Sequence, residues 1–214
     1  MVNEVRQLSD DEEHLVYDAI GALEIADGVV PVTDFPALTD PALRAAVATR
    51  LRRCGRVLNK VGGGYTSGYD DDVADVLVRD GIGVLAPQDR AVLALVLLRC
   101  VAIPRARGAS VSENWAGATG ERSTSLDELA QNRALGKTHI RKSLRRLQAA
   151  GLIRRSPRAG ITPGPALHRL TPQRTAALWE DLLILAAPDS AYAHVLRSRR
   201  TSGDLPDMSG KDAT

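Results

Sequence analysis

The stretch from Ala91 to Ile103 constrains the fold most, because it is apolar nearly all round and Arg99 is its only charged residue. A helix without a polar face must be covered by other elements on most sides. The stretch therefore predicts a central buried helix, which we expect to end at Pro104. It is also too short to cross a lipid bilayer, and Arg99 interrupts it, so we expect no membrane segment and a cytoplasmic protein.

The core of this chain must be aliphatic. Its 214 residues include only seven aromatic ones, which leaves Leu, Val, Ile and Ala to fill the interior and favours packed helices. A hydrophobic fraction of 44% excludes wholesale disorder, and the length suits two halves of about 100 residues each. We expect a mainly α fold with small β-wings, divided into 1–83, 84–198 and a disordered tail at 199–214.

The first half opens with a strong helix signal. Ser9 precedes four acidic residues, which predicts a capped helix over about 10–26. An extended stretch and a short helix follow, and Asp40-Pro41 then opens a long amphipathic helix. Its apolar spacing continues through Cys54 and Leu58, and its end carries a smaller basic cluster of Arg50, Arg52, Arg53, Arg56 and Lys60. Gly62–Tyr69 is predicted to be a flexible turn, and a capped helix over 73–79 follows it.

The second half has clearer boundaries. Ser125 and Glu128 form a capping-box pattern, Leu135-Gly136 predicts a turn, and Gly151 ends a helix over 137–150. We expect strands at 152–155 and 167–170 to pair around a loop at 157–165. Thr171-Pro172 then caps the last helix.

Charge divides the chain sharply. Residues 1–80 contain eight basic and fifteen acidic side chains, a net charge of −7, whereas residues 121–175 contain twelve basic and three acidic ones, a net charge of +9. A basic block of that size favours a polyanionic partner, most often a nucleic acid.

The segment LDELAQNRALGKTHIRKSLRRLQAAGLIRR, at 126–155, resembles the helix-turn-helix core of bacterial regulators of the MarR and GntR kind. Together with the order of predicted elements, it makes residues 86–187 similar to the winged-helix DNA-binding superfamily. The resemblance implies a reader helix at 137–150 and a basic wing at 153–170. The first half is either a second, more degenerate winged helix or a helical association unit.

The face of the reader helix opposite Ile140, Leu144 and Leu147 is basic throughout. A helix fits the major groove of duplex DNA, while wing residues reach phosphate or the minor groove. The other interpretation is a solvated basic face, because winged helices also bind proteins. The predicted DNA contacts are Lys137, Thr138, His139, Arg141, Lys142, Arg145, Arg146, Arg154, Arg155 and Arg158.

Three functions fit this pattern. The first is a nucleoid-associated transcription regulator that binds double-stranded DNA and forms a homodimer through its acidic N-terminal half. The second comes from another class: tandem winged helices in a chain of this length resemble the accessory subunits that bind the kleisin of SMC (condensin-like) complexes. The third is a plasmid replication initiator.

Enzyme motifs are weak. Gly136-Lys137-Thr138 lacks the glycine that a phosphate-binding loop needs at position 131, where Gln131 stands. The four histidines are scattered, so we predict no catalytic residues, no metal site and no cofactor. Cys54 and Cys100 are predicted to be small buried hydrophobic residues.

Overall fold

A computed structural model describes residues 8–107, 115, 123–131, 135–157 and 160–203. The chain is mainly helical with two small antiparallel sheets, which is consistent with a winged-helix-like fold. In the described ranges, none of the helices has both the length and the apolar character needed to cross a membrane.

The first half begins as predicted. Helix α1 (Asp10–Ile25) starts at a capping box, in which Ser9 Oγ accepts from the Glu12 backbone N–H and Glu12 Oε2 accepts from the Ser9 N–H. Its other elements are β1 (Val30–Pro31), a 3-10 turn (Val32–Asp34), α2 (Pro36–Thr39), α3 (Pro41–Arg53), β2 (Arg56–Val61), β3 (Gly64–Tyr69) and α4 (Asp71–Arg79).

The predicted long helix and glycine turn are wrong beyond Arg53. Gly55 has a φ of 69°, which ends α3, and the chain then forms the β2–β3 hairpin. The sequence predicted a helix here because Leu58 follows Cys54 by four residues. A spacing of four residues also keeps side chains on one face of a strand, so it does not distinguish the two structures. The sheet has the order β1-β3-β2, and Gly64 is required in it, because a Cβ there would lie 2.3 Å from the Val30 carbonyl oxygen.

The buried helix of the second half continues past its predicted end. It comprises α5 (Pro87–Leu97), a π turn (Leu98–Ala102) and α6 (Ile103–Ala106). Pro104 lies in the first turn of α6, where a missing N–H donor is tolerated, so it does not stop the helix.

The helix-turn-helix elements agree with the prediction. Helix α7 (Leu126–Ala130) starts at the Ser125–Glu128 capping box, and α8 (Lys137–Ala149) ends before Gly151, whose φ is 68°. Strands β4 (Ile153–Ser156) and β5 (Gly160–Pro163) follow, and Thr124 bridges to Ile161 at the open edge of β5.

The predicted wing pairing is wrong. Strand β4 pairs with residues 160–163, and the expected second strand, 167–170, lies mostly in a 3-10 helix at Pro165–Arg169. Gly160, with a φ of 74°, allows the earlier reversal, so the wing is much shorter than 153–170. Helix α9 (Pro172–Ala186) starts at Thr171 as predicted. A further helix, α10 (Ala191–Gly203), extends five residues into the predicted tail, whose remainder lies outside the described residues.

The buried apolar residues form separate clusters. One lies entirely in the first half and includes Val16, Leu23, Leu38 and Val47; the others surround α5 and its π turn. Cys100 is buried, and burial raises the pKa of its thiol to about 12, whereas Cys54 is exposed, contrary to expectation.

The two halves contact each other through polar groups. The buried Asn59 side chain on β2 donates from Nδ2 to the carbonyl oxygens of His168, Arg169 and Leu170, at 3.1–3.5 Å. In the opposite direction, the Arg169 guanidinium donates to the carbonyls of Ser67 and Ala26. These bonds fix β2 and β3 of the first half against the segment that leads into α9.

We predict that Leu97→Asp unfolds the second half. Leu97 is 2% exposed and packs with Ala102, Leu167 and Leu182, so an aspartate there is buried without a partner, at a cost of several kcal/mol. Thermal melting measures the effect, with Arg90→Asp at an exposed position of the same helix as the control. An unchanged melting temperature for Leu97→Asp would show that this helix is not central.

Candidate nucleic-acid and protein interfaces

Helix α8 has one buried and one exposed face. Ile140, Leu144 and Leu147 are fully buried in the core around α5, which fixes the rotation of the helix. The predicted contacts Thr138, His139, Arg141, Lys142 and Arg145 are all exposed on its other sides.

Three of these residues form a positive surface. Within the part of the chain that the structure describes, Arg141, Lys142 and Arg145 have no ion pair or hydrogen-bond partner. Arg154 and Arg155 on β4 are likewise exposed and unpaired among the described residues. We call these five side chains the basic surface. Arg158, also a predicted contact, lies outside the described residues.

Two other predicted contacts are engaged within the protein. Lys137 Nζ lies 2.6 Å from Asp127 Oδ1, and both side chains are exposed, so the pair is weak and open to competition. This contact lowers the pKa of Asp127. A phosphate could displace the carboxylate, and the predicted contact of Lys137 with DNA stays a prediction.

Arg146 has a structural partner. Its Nε and Nη2 donate to the two carboxylate oxygens of Asp89 at 2.7 and 2.6 Å, and the Asp89 side chain is only 5% exposed. The hydrogen bond from Arg146 holds the pKa of Asp89 below its usual value. The pair ties α8 to the start of α5, a role that sequence reading missed. The sequence signal for this pair was Asp89 itself, an acidic residue just before an apolar stretch of the same helix.

Two of the five residues of the basic cluster in the first half are neutralised, and Arg52, Arg53 and Lys60 are exposed. Arg50 pairs with Glu13 and Arg56 with Glu24, and Arg50 and Arg56 also lie over the rings of Tyr17 and Tyr69. These contacts leave the acidic excess of this half to dominate its surface.

An exposed apolar surface lies at the end of the first half. Helix α4 has no fully buried residue, although its sequence contains both acidic and apolar positions. Sequence reading predicted the helix but not its exposure. The exposed fractions are 47–57% for Tyr69, Val76, Val78, Ile82 and Val84, which we call the apolar patch. Asp72, Asp75 and Asp80 are exposed along the same segment.

In the described ranges, no group of three or more His, Cys, Asp or Glu side chains is placed to hold a metal ion.

We predict that Asp89→Asn lowers the melting temperature by a few degrees, because the variant loses the charged half of a buried pair. The pKa of Asp89 is depressed in the folded state, so its stabilisation is complete above pH about 4 and is lost as the pH falls through the folded-state value. Melting temperatures across the acidic range measure this loss, which should be smaller in the variant. Asp189→Asn, at an exposed site, is the control. Equal acid sensitivity of Asp89→Asn and the unmodified protein would contradict the role of the pair.

No protein-family model matches this chain, and no curated protein matches it. Two solved structures are similar. ScpB from Mycobacterium tuberculosis is 17% identical, with 80% of this chain and 98% of that chain covered and a TM-score of 0.24. A conserved hypothetical protein from Chlorobium tepidum is 19% identical, with 80% and 99% covered and a TM-score of 0.31. Both TM-scores are below 0.5, so neither likeness establishes a function for this chain.

Proposed function

We propose that this chain is a tandem winged-helix accessory subunit that binds the kleisin of an SMC-type complex. The two halves share one order of elements: a helix, a strand or bridge, two helices and a two-stranded wing. This repetition supports two winged-helix units, at 1–83 and 84–198. It also favours an assembly subunit over a regulator with a single reader domain.

The observation that carries the proposal is the apolar patch. Folded proteins rarely leave several large apolar side chains of one short segment half exposed to water, and exposed apolar surfaces mark partner sites. Val76 and Val78 on α4 are about half exposed, and Ile82 and Val84 continue the apolar character beyond the helix. The acidic residues beside them repel the phosphate backbone of nucleic acid. A protein segment with apolar anchors and basic flanks complements both features.

The fold holds α4 in a fixed position, as a binding surface requires. The Asp71 carboxylate accepts from Thr171 Oγ1 and Arg174 Nε, at 2.8 and 3.3 Å, and Arg174 also pairs with Asp75. Asp71 and Asp75, one turn apart, tie one side of α4 to the start of α9. Val78 lies beside these two carboxylates and Val76 lies about 200° round the helix from it, and both remain about half exposed.

We predict that Val76→Asp/Val78→Asp weakens binding of the kleisin from the same cell by at least about tenfold, since two apolar anchors are lost. Isothermal titration of the two purified proteins measures the affinity. Ile25→Asp, an exposed apolar site on α1 that is 83% exposed, is the matched control and should bind normally. Failure of the unmodified chain to bind that kleisin, or normal binding by the double variant, would overturn the proposal.

A second candidate, duplex DNA binding, rests on the basic surface. Arg141, Lys142 and Arg145 project from a helix of a size that fits the major groove, and Arg154 and Arg155 extend the positive charge onto the wing. In this function the chain is a transcription regulator, with a homodimer formed through the first half. The two functions are compatible, because the apolar patch and the basic surface belong to different halves.

We predict that Arg141→Glu/Lys142→Glu/Arg145→Glu abolishes duplex DNA binding without unfolding the protein, because all three side chains are exposed. In the unmodified protein, the logarithm of affinity should fall with the logarithm of salt by about 0.9 per neutralised phosphate. Fluorescence anisotropy with a labelled duplex measures both. The matched control, Arg52→Glu/Arg53→Glu/Arg107→Glu, makes the same charge change at other exposed positions. A triple variant that keeps the affinity and the salt slope would show that α8 is not the reader and would leave protein assembly as the function.

A further inference from the structure

A cavity of about 400 Å³ lies where the two halves meet. Asn59 and Lys60 of β2 line it from the first half, and Arg105, Trp115, His168 and Trp179 are among its walls from the second. Its volume is in the range of small-molecule sites.

The walls of the cavity are partly aromatic. Trp115 and Trp179 are the only tryptophans of the chain, and their rings stack with centroids 4.7 Å apart and planes inclined by 8°. Leu167 and Leu170 add aliphatic surface. Such walls accept the apolar body of an organic ligand.

One buried donor has no acceptor among the described residues. Trp115 is 4% exposed, and its indole Nε1–H has no hydrogen-bond partner in the described part of the chain. Buried indole N–H groups normally find a partner, because an unmade hydrogen bond is costly. The Trp115 side chain lines the cavity, but its Nε1 atom has almost no surface open to water, so a ligand there contacts the ring and not the N–H group.

The charged groups of the cavity are positive. The Arg105 guanidinium carbon lies 4.7 Å from the centroid of Trp179, and Lys60 is exposed on β2. Among the described residues, neither side chain has an ion-pair partner, and none of the lining residues is acidic. Burial lowers the pKa of His168, and nearby Arg154 lowers it further, which disfavours a positive charge on its imidazole.

We propose that this cavity binds a small organic anion, a carboxylate on an apolar body, with Arg105 and Lys60 at the carboxylate and the tryptophans around the body. The site is built from both halves, because Lys60 belongs to β2 and Arg105 to α6. It does not depend on either function proposed above.

The test uses 3-phenylpropionate as the probe and full-length protein. Since both tryptophans line the cavity, intrinsic fluorescence reports on this site alone. We expect a saturable change with 3-phenylpropionate and none with the neutral analogue 3-phenylpropionamide at the same concentrations. In a ¹⁵N–¹H spectrum, the two indole resonances are assigned with Trp179→Phe, and both should shift as the probe fills the cavity that the two rings line.

Arg105→Gln and Lys60→Gln should each weaken the probe by about tenfold, as expected for loss of one charged hydrogen bond. Arg107→Gln, which changes a nearby exposed arginine, is the matched control and should leave binding unchanged. Arg105→Gln also removes the contact of Arg105 with Trp179 and can disturb the fold. Lys60 is exposed, so Lys60→Gln tests the site without that effect. Equal binding of the amide, normal binding by Lys60→Gln, or the absence of a saturable change would overturn the proposal.

Discussion

The position of one buried amide determines how the two halves are arranged. Asn59 Nδ2 donates to three successive carbonyl oxygens at 168–170, and the backbone is brought so close that a Cβ at Gly68 would lie 2.0 Å from the Arg169 oxygen. Those carbonyls belong to the end of a 3-10 helix, where backbone acceptors lack helical partners. Asn59, His168 and Leu170 also line the cavity, so the same contact forms part of its wall.

Charge is used differently in the two halves. In the first, Arg50 and Arg56 are neutralised by glutamates of α1 and lie over tyrosine rings, so these two arginines serve packing. In the second, Arg146 is engaged by Asp89 while Arg141, Lys142 and Arg145 on the same helix remain exposed. A count of basic residues therefore overestimates the charge available to DNA. Only the structure separates the ion-paired basic side chains from the exposed, unpaired ones.

Sequence reading succeeded where the signal is local. Capping boxes at Ser9 and Ser125, and the apolar positions of α8, lie within a few residues of the structures they determine, and those elements agree with the prediction. It failed where pairing is non-local. The partner of β4 depends on a reversal near Gly160 and on the bridge to Thr124, and β2 was read as helix because Leu58 fits both periodicities. The Asp89–Arg146 pair joins residues 57 positions apart, which no spacing rule connects.

The contact between the halves also relates the apolar patch to the cavity. The segment from Pro165 to Arg174 bonds to Asn59 at one end and to Asp71 at the other, so one short stretch positions both β2 and α4. Leu167 and His168 of this stretch line the cavity, whereas Val76 and Val78 are exposed side chains of the helix that Arg174 anchors. A ligand in the cavity would therefore contact a segment that helps to fix α4. Thr171 and Arg174 connect that segment to Asp71, and a second connection runs from the cavity-lining strand β2 through its partner β3, which leads directly into α4.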